Sequence, residues 1–516
     1  MPAPPAQPVS SATRHLSAAA YLDQGFRRVA LAEIYHGEQR FVAPSYGFDL
    51  PTVLAHCLTA QRITAAQDGC LLAGLLLFAL IDWDNLLRTL FVVGFGLIVM
   101  FVGLLVEKPL AKMLVVVLGY TSLLIIVINT IFPLPLLGAG SQQSHGGVLV
   151  MLLILFGVVV GTEFRMRAQL DRLAPGAAVV QHTDQRLRKL AAVDHGNLTV
   201  YAGYRPFIGS GFEIGTWSFA QRLMRAGDPL TQREQDREFD TAPFTTLELK
   251  EYVTKNLFDL AFTGPPELRL PGLDVTDRVF VACSEITNRS QVHSSEVKIN
   301  ASPSRPPVLS PAALERVIAN PTGPARHYLS CQVVSWDGEV VTTVYVHFAV
   351  QGRTLYLELS AWALPPCAPA YRSIDDAEQA VVLGGAMTVF KALAGAPMVL
   401  LKAPINLARL AMADRQGGAA RSNYGARISL RELGDAGRLR AYQQEHDVEK
   451  YSRIIERRVL AAVYDFLEDK DIDVSEYTQR AMTILNNGVI NTGGTTTLHS
   501  TAVGSQATTI NRGGGK

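Results

Sequence analysis

Cysteine pairs are missing from this sequence: its five cysteines, Cys57, Cys70, Cys283, Cys331 and Cys367, are far apart, odd in number and never spaced Cys-x-x-Cys. That excludes a disulfide framework and a cysteine zinc site, and it fits a reducing compartment. A dominant charge is missing too. The 47 basic and 46 acidic residues leave a formal net charge of +1, so no global field argues for a nucleic-acid partner. Catalytic signatures are equally absent, with no Ser or Cys nucleophile motif, no His-Glu-x-x-His helix and no Walker loop. The 11 histidines are scattered without short pairings, so neither a metal nor a cofactor is expected. The amino terminus, Pro2-Ala-Pro-Pro5, lacks a basic start followed by an early apolar run, which predicts no cleavable signal peptide.

Charge is scarcest between Cys70 and Gly161, where Asp82, Asp84, Arg88, Glu107, Lys108 and Lys112 are the only acidic or basic side chains. A helix needs about 20 apolar residues to cross a bilayer. By that measure the stretch divides into four spans, at about 70–81, 86–106, 110–132 and 146–162. The first is short, and without it three remain. Arg165, Arg167, Arg172, Arg186, Arg188 and Lys189 follow the last span and mark that side as cytoplasmic. The expected fold class is therefore membrane α-helical, with about four spans, plus a cytoplasmic α+β domain containing an antiparallel β-meander. The implied location is the cell membrane, multi-pass, with both termini cytoplasmic and the lipid bilayer as partner. Ionisable groups are nearly absent inside the spans, which favours an anchor over a conducting pore.

The rest of the chain divides into a cap at 1–69, spans within 70–164, a basic linker at 165–196, an α+β domain at 197–437, a helix at 438–482 and an Asn/Gly/Thr-rich tail at 483–516. Tyr21 to His36 suits a helix that Gly37 ends. Gly209-Ser210-Gly211 follows the strand-like Asn197 to Gly203. Such a loop can cradle phosphate, but no Lys-Ser/Thr follows, and a simple turn is the competing reading. Phe244 to Phe262 has helical periodicity.

The clearest pattern runs from Arg326 to Trp362, where Asp337-Gly338 and Gln351-Gly352 split three alternating segments into a meander. Pairing Trp336 with Glu339 and Val350 with Arg353 sets His347 between Tyr328 and Tyr356, and Tyr345 between Ser330 and Glu358. Val344, Val346, Phe348, Leu355, Leu357 and Leu359 fall on the opposite face and form the expected core. Tyr328, Tyr345, His347, Tyr356 and Glu358 are thus the ligand-site candidates, because a histidine exchanges protons near neutrality and a glutamate can orient it. Ordinary half-exposed strands also carry such residues, so a plain solvent face stands beside this reading. Residues 380–413 are again apolar, and on continuous helical spacing Lys391, Lys402 and Arg409 share one side, as snorkelling cations at a membrane surface do. Two or three short helices packed on the sheet suit Pro397 and Pro404 equally well. From Leu439 to Asp469 an apolar stripe predicts a long helix, which with the tail offers a surface for a protein partner or a second copy. The recurrence of Ile490-Asn-Thr-Gly-Gly494 as Ile510-Asn-Arg-Gly-Gly514 does not make a repeat protein.

Val42-Ala-Pro-Ser-Tyr-Gly-Phe-Asp49, Val346-His-Phe-Ala-Val-Gln-Gly-Arg-Thr-Leu-Tyr-Leu-Glu358 and the Asn/Gly/Thr tail resemble uncharacterised multi-pass membrane proteins of high-GC actinobacteria. Similar tails occur there in proteins linked to conflict or signalling systems. The resemblance implies a bacterial plasma membrane and transfers no catalytic residue. The expected function is a non-enzymatic sensor or scaffold with a cytoplasmic ligand- or partner-binding domain. A membrane enzyme acting on a lipid-proximal substrate and a pore-forming effector are the alternatives.

Overall fold

The computed structural model describes residues 9–37, 40–81, 146–173, 184–193, 196–227, 233–263, 269–287, 308–375, 398–400, 402–412 and 424–486. The chain forms two compact units, one of residues 1–57, 175–373 and 417–516, the other of residues 58–174 and 374–416.

The first unit is built on a six-stranded sheet. Its strands are β1 (Leu198–Tyr201), β2 (Phe212–Arg222), β3 (Leu273–Ala282), β4 (Ala325–Ser335), β5 (Val340–Gln351) and β6 (Thr354–Leu364). They stand in the order β1-β3-β4-β5-β6-β2. β1 runs parallel to β3 and every other pair is antiparallel, so the sheet is mixed. The turn at Trp336–Gly338 closes β4 onto β5 with Ser335 opposite Val340. Between β5 and β6, Gln351 opposes Thr354, one position further along the turn than the sequence pattern suggests. Gly352 carries the positive φ of +57° and so acts as the first central turn residue. Each strand shifts by one residue, the face of every side chain is preserved, and Glu358 stands opposite His347.

Before the sheet come α1 (Ser11–Leu22) and α2 (Gln24–Ala30). The helix expected from Tyr21 to His36 is interrupted at Asp23, whose carboxylate accepts from Gly25 N and Phe26 N and caps α2. Asp337, in the β4–β5 turn at φ +53°, accepts from Ser11 N at 2.8 Å and Ser11 Oγ at 2.7 Å. One turn thus closes a hairpin and caps a helix.

The apolar stretch departs from the four-span expectation. Among the described residues one helix is long and apolar enough to cross a membrane, Leu50–Leu80. The expected short span at 70–81 is the end of that helix, α3 (Leu50–Ile81). The span expected at 146–162 belongs to α4 (Gly146–Asp171), which continues through Glu163, Arg165 and Arg167. Those expected at 86–106 and 110–132 lie outside the described residues. Asp68 lies just before the expected short span at 70–81. It is buried within its unit and accepts from Asn406 Nδ2 at 3.2 Å. A charge satisfied by a neighbouring side chain does not end a helix. The fold described is α+β around a mixed sheet, and the multi-pass, four-span architecture is corrected accordingly. In the second unit Leu71, Phe78, Leu155 and Val159 pack together.

One sheet face is covered by α5 (Thr246–Phe258), α7 (Tyr442–Asp469) and α8 (Ser475–Asn486), while α6 (Pro311–Ala319) leads into β4. Leu249, Val253 and Leu257 of α5 and Ile455, Val459, Val463 and Phe466 of α7 meet Val344, Val346, Phe348, Leu355, Leu357 and Leu359 of the sheet. Burying a Val, Leu, Ile or Phe side chain contributes about 1.5–3 kcal/mol each. Period-2 strands against period-3.6 helices dictate this layering. The opposite sheet face carries the site.

Candidate functional site

β4 and β5 pair only as far as Leu329 opposite Val346, although both strands continue beyond that pair. Past it, the His327 carbonyl accepts from the His347 ring, Nδ1 to O 2.7 Å, and Val350 N donates to Thr246 Oγ1 at 3.1 Å. Side chains therefore satisfy backbone groups that the ladder leaves over. Where the strands part, a cavity of about 670 Å³ opens, walled by Arg326 and Tyr328 of β4, His347 of β5 and Tyr356 and Glu358 of β6. Its floor is small-residue backbone, Ala349 on β5 and Ala220 on β2.

The groups in it are held in place. Tyr328 on β4 donates to Glu358 Oε1 and Tyr356 donates to Glu358 Oε2, each at 3.2 Å. Tyr328 lies with its ring centroid 5.2 Å from that of His347. Because Nδ1 faces a carbonyl it must carry the proton, which leaves Nε2 as the acceptor of the neutral ring. Burial pushes the imidazole below its usual range, against the opposing effects of the His327 carbonyl and the Glu358 charge. Burial, reinforced by the adjoining Glu358, raises the Tyr328 phenol well above its ordinary value. The cavity thus holds a neutral histidine and two tyrosine hydroxyls that both donate to the Glu358 side chain.

Behind the site, on the other side of β4, His327 Nε2 lies 2.8 Å from Asp277 Oδ1 and Lys250 Nζ lies 2.8 Å from Asp277 Oδ2. Burial alone would raise Asp277, but the bonds from His327 and Lys250 outweigh it and hold the carboxyl below its usual range. The ion pair fixes His327, and the His327 carbonyl fixes His347.

Four of the five sequence candidates, Tyr328, His347, Tyr356 and Glu358, line this one cavity. Tyr345 does not. It is fully buried, with its hydroxyl 2.9 Å from Ser210 Oγ and 3.2 Å from Tyr46 OH. Its ring stacks at 4.3 Å on Phe207. Lys402 and Arg409 are exposed on the helical stretch 402–412, and Lys391 lies outside the described residues. Arg326 and Ala349 were not singled out in the sequence. The signal for Arg326 was its place two residues before Tyr328 on the same face, and for Ala349 it was a gap in a row of large side chains.

The glycine loop holds an anion supplied by the chain itself. Gly209 and Gly211 have φ of +93° and +86°, and their N–H groups donate to Glu432 Oε1 at 2.8 and 3.0 Å. β2, not a helix, follows the loop, so the phosphate reading gives way to an internal carboxylate clamp. Burial raises Glu432 above its usual range, although both glycine bonds pull the other way. Glu432→Ala is expected to leave both part-buried amides without this acceptor, at a cost of about 1–3 kcal/mol. Urea denaturation would show it as a lower midpoint at unchanged slope.

Among the described residues, His15, Glu339 and Cys367 bring metal-type ligand atoms within 4.8 Å of one another, all buried. Their bonding does not suit a cation. Glu339 Oε1 is 2.6 Å from His15 Nδ1, while Oε2 accepts from Arg372 Nη2 at 2.6 Å and from Cys367 N at 3.0 Å. Burial pushes the Cys367 thiol up to about 12, and the Arg372 guanidinium already neutralises the Glu339 carboxylate. The trio is an ion-pair hub that ties α1 to the sheet.

No curated protein and no solved structure matches the chain. Residues 216–499, 284 of the chain's 516, match the family model described as the AbeC-like domain. That range contains every cavity residue named above, while α1, α2 and β1 precede it. With more than half of its length matched, this chain belongs to the AbeC-like domain family.

Proposed function

We propose that the chain is a ligand-binding protein whose cavity between β4 and β5 takes a small polar molecule, and that it acts as a non-enzymatic sensor or scaffold. The observation that carries this is the parting of two central strands above a floor of alanines, which leaves polar side chains converging on open space inside a sheet. Small-molecule sites have this character: a concavity of about 300–1,000 Å³ with a few fixed polar groups. Binding is favoured over turnover because the cavity lining includes no serine or cysteine. Its carboxylate is also held by two tyrosine hydroxyls and its imidazole by the His327 backbone carbonyl.

The test fills the hollow. Ala349→Phe places a ring where the cavity is, and ligand-observed NMR with a mixture of small carboxylates, amines and sugars reads occupancy on the full chain. Fragments are expected to bind the wild type and to lose saturation transfer in the variant, with stability lowered by about 1–3 kcal/mol and the fold kept, as circular dichroism would show. Equal binding to both proteins would remove the site. Turnover of any fragment that vanishes in His347→Ala would replace binding by catalysis.

A further inference from the structure

The cavity has one charged side chain of each sign, and neither is in an ion pair among the described residues. The Arg326 guanidinium lines it and makes no hydrogen bond or ion pair among the described residues. Glu358 lines it too and receives the Tyr328 and Tyr356 hydroxyls, yet no cation stands within ion-pair distance of it among the described residues. The two do not pair with each other. They sit on β4 and β6 with β5 between them, and because β4 and β5 no longer pair at Arg326 their backbones stand further apart than the two regular strand spacings of about 10 Å. A guanidinium stays charged at any working pH. A carboxylate oxygen that accepts one phenol still has a lone pair to offer.

Accepting the cavity as a ligand site, we infer that its ligand is a zwitterion, a small molecule with an ammonium group at one end and a carboxylate at the other. The carboxylate meets Arg326, whose planar fork matches it. The ammonium meets Glu358, whose oxygens each accept one tyrosine hydroxyl and keep lone pairs free. Nε2 of His347 accepts a further N–H, since the ring's other nitrogen already donates to His327. A simple anion would satisfy Arg326 and face Glu358 with like charge. A simple cation would do the reverse. Among charged ligands only one that carries both signs meets each group with its opposite, and specificity commonly arises from such repulsion of the others.

Isothermal titration of the full chain with 5-aminopentanoate and 6-aminohexanoate, against pentanoate and pentylamine, tests the inference. At least one zwitterion is expected to bind about tenfold or more tightly than either single-charge compound. Arg326→Gln and Glu358→Gln are each expected to bring it down to the single-charge level while the melting temperature is kept. Binding should also weaken with added salt. Pentanoate binding as well as the zwitterions, with Glu358→Gln silent, would overturn the zwitterion and leave the site standing, provided Ala349→Phe still abolishes binding. If none of the four compounds binds while other fragments do, the ligand class is wrong and the site is right. If no fragment binds at all, both fall.

Discussion

Replacing Glu339 with alanine is expected to destabilise the first unit by about 3–5 kcal/mol, the range for removing one partner of a buried ion pair. Glu339 is 3 % exposed and satisfies four groups. His15 and Arg372 meet its carboxylate, Cys367 N donates to the same carboxylate, and its carbonyl accepts from Arg431 Nη2 at 2.7 Å. The last bond uses backbone and survives the substitution. The first three do not, and the Arg372 guanidinium loses its counter-charge while the His15 ring loses its bond to Glu339. Glu339→Gln keeps the shape and one acceptor, so it should cost less than alanine but well over 1 kcal/mol. A urea midpoint that moves by less than that in both variants would mean the hub is incidental.

The same residue sets a pH signature. Burial by itself would raise Glu339, but the bonds from His15 and Arg372 outweigh it and bring the carboxyl from 4.5 down to about 2. A group depressed in the folded state adds stability above its unfolded value and loses it as pH falls towards the folded one. The contribution is therefore full above about pH 4.5 and gone below about pH 2, a loss of about 3 kcal/mol at 1.36 kcal/mol per pH unit. Acid titration of the wild type by circular dichroism should be steep across that window, and Glu339→Gln should flatten it. Equal slopes in the two proteins would count against the assignment.

Local pattern carried the centre of this fold and little of its periphery. Alternation between Arg326 and Trp362 is a period-2 signal that needs no partner to read, and it separated the core face from the face with His347. Register was less secure. Moving the positive φ from the second turn position to the first, at Gly352, shifts each strand by one residue and exchanges Tyr356 for Glu358 opposite His347. The hub was invisible because His15 and Glu339 lie 324 residues apart, and no short-range spacing marks such a pair. The cavity itself was half legible. Its polar residues follow from the strand pattern, but its existence depends on where β4 and β5 stop pairing, and a sequence does not announce the end of a ladder. Low charge misled the reading of the apolar stretch. It describes a helix surface without saying what covers it, and Asp68, just before the expected first span, is bonded inside its unit.

Phe207→Ala is the second large expected effect, a loss of about 3–5 kcal/mol for truncating a buried aromatic. Phe207 comes from the loop before β2, yet it stands at the centre of the rings on the site side of the sheet. It stacks on Tyr345 at 4.3 Å with an interplanar angle of 11°, meets Tyr328 edge-on at 5.0 Å and Phe280 edge-on at 5.1 Å, and lies 5.5 Å from Trp362. Each such pair adds about 0.5–1.5 kcal/mol beyond area burial. Its neighbours hold it from both sides, since Ser210 three residues on bonds Tyr345 and the Glu432 clamp pins Gly209 and Gly211. Removing the ring takes away a surface on which Tyr328 rests, and Tyr328 is one of the two phenols that orient Glu358. Stability and ligand affinity should therefore fall together. Phe207→Leu refills most of the volume and should recover over half of the stability while leaving Tyr328 without an aromatic edge contact here. Affinity restored in full by leucine would show that Phe207 supports the site by bulk alone; stability restored with affinity still low would show that ring geometry beneath Tyr328 sets the carboxylate in place.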